Sequence, residues 1–157
     1  MAAPDLFFDS SALFAGVVSA DGASRALLLL AEAGQIAVTI SEQVIAETER
    51  AVARKIPRAL PDFREALRAT GMRIIPDPSP DEIAAHEGLV AHRPDIPIVV
   101  AAMQVKTDYL VTLNRHHFLH DPSVAARSQL RIGTPGDALT WVRRSLRQAA
   151  TQPDWAE

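Results

Sequence analysis

Three carboxylates and one polar cluster carry the chemical potential of this chain: Asp9, Glu47 and Asp95, with Thr112, Asn114, Arg115, His116 and His117. Carboxylates held together repel one another and usually need a cation to offset that repulsion. There is no cysteine, so any metal must be held by oxygen or imidazole. Hard oxygen donors without sulfur suit Mg²⁺ or Mn²⁺. Taken singly, each residue has a plainer reading. Asp9, followed by Ser10 and Ser11, serves equally well as a helix cap or a ligand. Glu47 by itself reads as a solvated helix residue, and Asp95 as a cap. Asn114 reads either as a donor of one carbonyl oxygen or as a turn residue tolerant of the left-handed region. His86 and His92 lack a metal-ligand spacing and read as surface residues.

The elements that must position these groups follow from the apolar pattern. Short apolar runs alternate with longer helical ones, which predicts an α/β fold with a parallel sheet covered by helices. Strands are expected near 5–9, 36–39, 72–75, 109–112 and 130–133. The phrase DYLVTLNRHHF at 108–118 reads as a buried strand that delivers polar residues to a sheet end, where open α/β sheets bind ligands. LFF at 6–8 running into Asp9 is a second exit of that kind. Helices are expected over 23–33, 41–55, 61–70 and 79–91, the last opened by Ser79, Pro80 and Glu82 as a capping box. On the 41–55 helix Val44, Ile45, Thr48 and Val52 share about 100° of arc, the buried stripe, with Glu47 and Glu49 on opposite margins. The wheel does not choose between those two acids. Asp95 and Pro97 open a helix whose IVVAAM run, 98–103, is apolar almost all round and belongs inside. Thr134 and Pro135 cap a final amphipathic helix.

Length and composition predict one domain over 1–150, with a flexible tail at 151–157. Sixteen basic against nineteen acidic residues leave a net charge of −3, which argues against a wholly basic nucleic-acid binder. Arg50, Arg54, Lys55, Arg58, Arg64, Arg68 and Arg73 nevertheless concentrate positive charge in one stretch. The N-terminus shows neither a secretory signal nor a membrane span, so a soluble, cytoplasmic protein without membrane contact is expected.

Five stretches in order, LFFDSSALFAG at 6–16, ISEQVIAETERAV at 40–52, PDIPIVVAAM at 94–103, DYLVTLNRHHF at 108–118 and LRIGTPGDALTWV at 130–142, resemble the PIN-domain ribonucleases over nearly the whole chain. The resemblance implies a three-layer α/β/α fold with a central parallel sheet, and an acidic quartet that binds divalent metal and cuts RNA. Many bacterial members of this size are VapC-like toxins of toxin–antitoxin pairs. By position, Asp9 matches the first acid, Glu47 the second, chosen over Glu49 by its distance from Ser41, and Asp95 the third. The family phrase resembling TGD is replaced by Thr112, Leu113 and Asn114, so the fourth position is neutral. The resemblance further implies that Thr112 fixes Asp9, that Arg115, His116 and His117 contact RNA, and that the protein forms a homodimer blocked by a cognate antitoxin. The neutral fourth position leaves open a PIN-fold module that binds RNA or protein with weakened catalysis.

Other phosphate enzymes of similar architecture fit less well. A haloacid-dehalogenase-type phosphatase needs a second aspartate two places after its nucleophile, where this chain has Ser11. A receiver domain needs a lysine after its fifth strand, where this chain has Gly133 and Thr134.

Overall fold

Leu6, Phe7 and Phe8 have no solvent exposure, the condition of a strand covered on both faces. They form β1 (Asp5–Phe8), the middle of a sheet in the computed structural model, which describes residues 2–152. Around it lie β2 (Ala37–Ser41), β3 (Arg73–Ile75), β4 (Tyr109–Val111) and β5 (Ile132–Gly133). Their order is β3-β2-β1-β4-β5, all parallel, with Leu6 opposite both Val38 and Tyr109. Helices flank this sheet in a three-layer α/β/α arrangement. The strand order reverses between β1 and β4, and in such sheets the crevice beyond the carboxyl ends at the reversal is the binding position.

The flanking helices are α1 (Ser10–Val18), α2 (Ala23–Glu32), α3 (Glu42–Lys55), α4 (Leu60–Ala69), α5 (Pro80–Ala84), α6 (Ile96–Gln104), α7 (Arg115–Phe118), α8 (Ser123–Ser128) and α9 (Pro135–Thr151). On α3 the expected stripe is buried at Val44, Thr48 and Val52, with Ile45 half-buried. Residues Ile98 to Ala102 of α6 are all buried, as an all-round apolar helix requires. Gly16 lets α1 approach α2, since a Cβ there would lie 2.7 Å from Leu28 Cδ1. Among the described residues, no single helix is long and apolar enough to cross a membrane.

The differences from the sequence reading are local. The capping box at Ser79 and Glu82 is present, but α5 ends at Ala84 rather than running to 91. Gly88, at φ 81°, has left the helical region, and the chain turns so that Leu89 and Val90 enter the core. The short helices α1, α7 and α8 carry too few turns to register as periodic patterns. Thr151, assigned to the tail, closes α9, while residues 153–157 of that expected tail lie outside the described residues.

Candidate active site

Asp9 leaves β1 at the reversal point and caps α1. Its Oδ1 accepts from the Ala12 amide at 2.9 Å and from the Ser11 hydroxyl at 2.7 Å. The Thr112 hydroxyl, at the exit of neighbouring β4, donates to Oδ2. Cap and site residue are therefore one group here. Thr112 fixes the Asp9 rotamer, and its own oxygen accepts from the Asn114 amide at 2.9 Å. Asp9 is 3% exposed. Burial pushes its carboxyl above the ordinary range, the nearby Asp95 charge adds to that, and the Thr112, Ala12 and Ser11 hydrogen bonds oppose it. Three hydrogen bonds leave a carboxylate one lone pair for a further partner.

Glu47 arrives from α3. Its Oε2 accepts from the Ser10 hydroxyl and its Oε1 from Gln43 Nε2, both at 2.8 Å. Gln43 Nε2 also donates to the Pro94 carbonyl at 2.9 Å, which ties α3 to the segment carrying Asp95. The structure thus separates the two acids that the helical wheel leaves equal. Glu49 is exposed and lies 4.0 Å from Arg64.

Asp95 does not cap α6 with its side chain, which corrects the expectation. A 3₁₀ turn over Arg93–Asp95 precedes α6, and the carboxylate turns instead to two imidazoles. Its Oδ2 lies 2.7 Å from His117 Nδ1 and 3.0 Å from His92 Nδ1. The two rings stack at 4.1 Å with planes 16° apart. His92, read from sequence as a surface residue, therefore belongs to the site. The signal available was its position three residues before Asp95, on the same turn. His117 turns inward, while Arg115 and His116 are exposed.

Asn114 has φ −84° and ψ 79°, so it is no left-handed turn residue. It caps α7, its Oδ1 accepting from the His117 amide at 3.1 Å, and its Nδ2 lies 2.7 Å from His117 Nδ1. One ring nitrogen cannot donate to Asp95 and accept from Asn114 at once.

Among the described residues, neither Asp9 nor Glu47 has a basic side chain within 4.0 Å. A buried carboxylate in that condition suits an oxygen-coordinated cation. The family model of the PIN domain matches residues 5–116. The chain belongs to the PIN-domain family. Among solved structures, this PIN domain is similar to VapBC2 from Rickettsia felis bound to a DNA fragment from its promoter. The two are 18% identical with a TM-score of 0.58, over 83% of this chain and 98% of that one. It is also similar to PAE2754 from Pyrobaculum aerophilum, at 18% identity and a TM-score of 0.61, over 92% and 94% of the two chains. At this identity the likeness is one of fold. No curated protein sequence matches the chain.

Proposed function

We propose that this PIN domain is a divalent-metal-dependent endoribonuclease with Asp9, Glu47 and Asp95 as its acidic set. The observation that carries the reading is Asp9: a buried carboxylate at the strand-order reversal, without a basic partner among the described residues and beside the charge of Asp95. Asp9 and Asp95 would hold Mg²⁺ or Mn²⁺, with Glu47 completing the pocket. Such an ion lowers the pKa of a bound water and offsets charge on the scissile phosphate. Thr112 holds the Asp9 rotamer. Ser10 and Gln43 orient Glu47 toward the same crevice, where it can position the attacking water.

RNA contact falls to exposed cations. Arg115 and His116 flank the site, and Arg50, Arg54 and Arg58 make no ion pair among the described residues. Arg64, Arg68 and Arg73 are engaged by Glu49, Glu65 and Asp5. A cytoplasmic toxin that forms a homodimer and is restrained by a cognate antitoxin fits this reading. The fold shared with a VapBC protein supports it, as does a mainly apolar groove lined by Pro80, Ile83, Ala84, Glu87, Arg93 and Ile96.

A specific observation favours a second reading. Asn114 supplies no charge, and one lone pair of its carbonyl oxygen caps α7, which suits a PIN-fold module that binds RNA or protein with weakened cleavage. Cleavage of structured and single-stranded RNA with Mg²⁺ or Mn²⁺ separates the two. Metal-dependent cutting that Asp9→Asn abolishes supports the enzyme. Binding that persists in EDTA and in Asp9→Asn, without cutting by the unaltered protein, supports the module.

A further inference from the structure

We propose that His92, His117 and Asp95 form a second kind of metal site, a two-histidine, one-carboxylate centre for a borderline transition-metal dication such as Zn²⁺. One ligand atom from each residue lies within 4.8 Å of the other two, the one such trio of metal-ligating side chains among the described residues. Both Nδ1 atoms face the same Asp95 oxygen, at 2.7 and 3.0 Å, because the stacked rings present their edges in parallel. Around a tetrahedral Zn²⁺ with bonds near 2.0–2.1 Å, neighbouring ligand atoms sit about 3.3 Å apart. The two histidine–Asp95 edges therefore open by about 0.6 and 0.3 Å, and one ring turns out of the stack so that both in-plane lone pairs meet at the ion.

The donor chemistry differs from that of the acidic set. Imidazole favours Zn²⁺, Ni²⁺ and related ions, whereas Mg²⁺ prefers oxygen and water. The Asp95 side chain is 14% exposed and His117 27%, while His92 is 46% exposed, which leaves the solvent side open for water as a further ligand. The metal-free contacts are also mutually incompatible, since His117 Nδ1 meets both Asp95 Oδ2 and Asn114 Nδ2 at 2.7 Å. A dication beside Oδ2 would take the single Nδ1 lone pair, so loading the centre also requires the Asn114 amide N–H to turn away from Nδ1. Asn114, by capping the first turn of α7, holds the His117 backbone in place. Asp95 belongs to both donor sets, so loading this centre withdraws a carboxylate from the oxygen set. That consequence rests on the nuclease reading; the metal binding does not.

The test is titration of the untagged, chelator-treated full chain with Zn²⁺ by calorimetry, and with Co²⁺ by visible absorption, in the absence of Mg²⁺ and RNA. The expected result is one Zn²⁺ per chain, with His92→Ala and His117→Ala each weakening binding by about 100-fold. Glu49→Gln, at an exposed residue outside both donor sets, is expected to change it by less than about threefold. His92 is half-exposed, so loss of binding in His92→Ala with an unchanged melting temperature is not a folding effect. The proposal is overturned by absence of Zn²⁺ binding in the unaltered protein, or by binding that neither histidine substitution weakens. Binding that Asp9→Asn removes as fully as His92→Ala also overturns it, by assigning the ion to the oxygen set. RNA cleavage is read in none of these titrations, so this proposal can fail while the nuclease reading stands.

Discussion

His117 Nδ1 sits 2.7 Å from Asp95 Oδ2, across 22 residues of sequence. That bond joins the turn before α6 to the helix that follows β4. Asp95 also lies near enough to Asp9 for its charge to act there, so a strand exit and a helix start on separate parts of the chain carry neighbouring carboxylates.

Divalent metal should stabilise the protein through Asp9. An ion at 100 times its Kd adds about 2.7 kcal/mol, or roughly 5–11 °C in Tm for a chain of this length. Thermal unfolding with Mn²⁺ against EDTA should show that rise in the unaltered protein and lose it in Asp9→Asn. An equal rise in both would remove Asp9 from the ligand set.

Thr112 has no solvent exposure, and it donates to Asp9 while accepting from the Asn114 amide. Thr112→Val leaves both partners unsatisfied and should cost about 1–3 kcal/mol. Thr112→Ser keeps the hydroxyl and should restore most of that stability. Urea denaturation of the pair measures the difference, and equal midpoints would show that the hydroxyl contributes little.

Asn114→Asp keeps the α7 cap, because an aspartate also accepts from the His117 amide. It adds the missing negative charge. Mn²⁺ affinity should tighten by about tenfold, with faster RNA cleavage if the neutral fourth position limits the reaction. Unchanged affinity by calorimetry would mean that position 114 faces no ion.

Glu47 and Glu49 differ only in what they face. Glu47→Gln should lower metal-dependent cleavage by about 100-fold, whereas Glu49→Gln, losing a 4.0 Å surface pair, should change stability by less than about 0.5 kcal/mol. Equal activity of the two variants would remove Glu47 from the site.

Asp5, at the amino end of β1, tests the electrostatics away from any metal. Burial raises its carboxyl above 3.8, with the Asp108 charge adding, against the opposing Thr39 hydrogen bond and Arg73 charge. The folded state then binds more protons than the unfolded one, so this group's contribution is fully present below pH 3.8 and is lost as pH rises through the raised value. Asp5→Asn should flatten that fall in the pH–stability profile; an unaltered profile would show that Asp5 titrates normally in the fold.

By itself the sequence determined the five strands in their order, because continuous apolar runs such as Leu6–Phe8 and Tyr109–Val111 have a stable place only in a sheet covered on both faces. It also marked Asp9, Asp95 and Thr112, since each stands directly at the end of a strand or the start of a helix, where local rules act. The tertiary structure alone decided how the carboxylates are used. Glu47 and Glu49 lie on opposite margins of one helical stripe, and in the fold the Ser10 hydroxyl, 37 positions away, binds Glu47 while Glu49 lies 4.0 Å from Arg64. Asp95 satisfies every local rule for a cap, yet its preceding 3₁₀ turn frees the side chain for His92 and His117. The run past Ala84 ends at a glycine with positive φ, a backbone choice made by the burial of Leu89 and Val90 rather than by periodicity. Local sequence marks the strands and the longer helices because propensity and capping act within a few residues, whereas α1, α7 and α8 are too short to leave a periodic trace. Which side chains converge depends on contacts between elements far apart in the chain, and only packing supplies them.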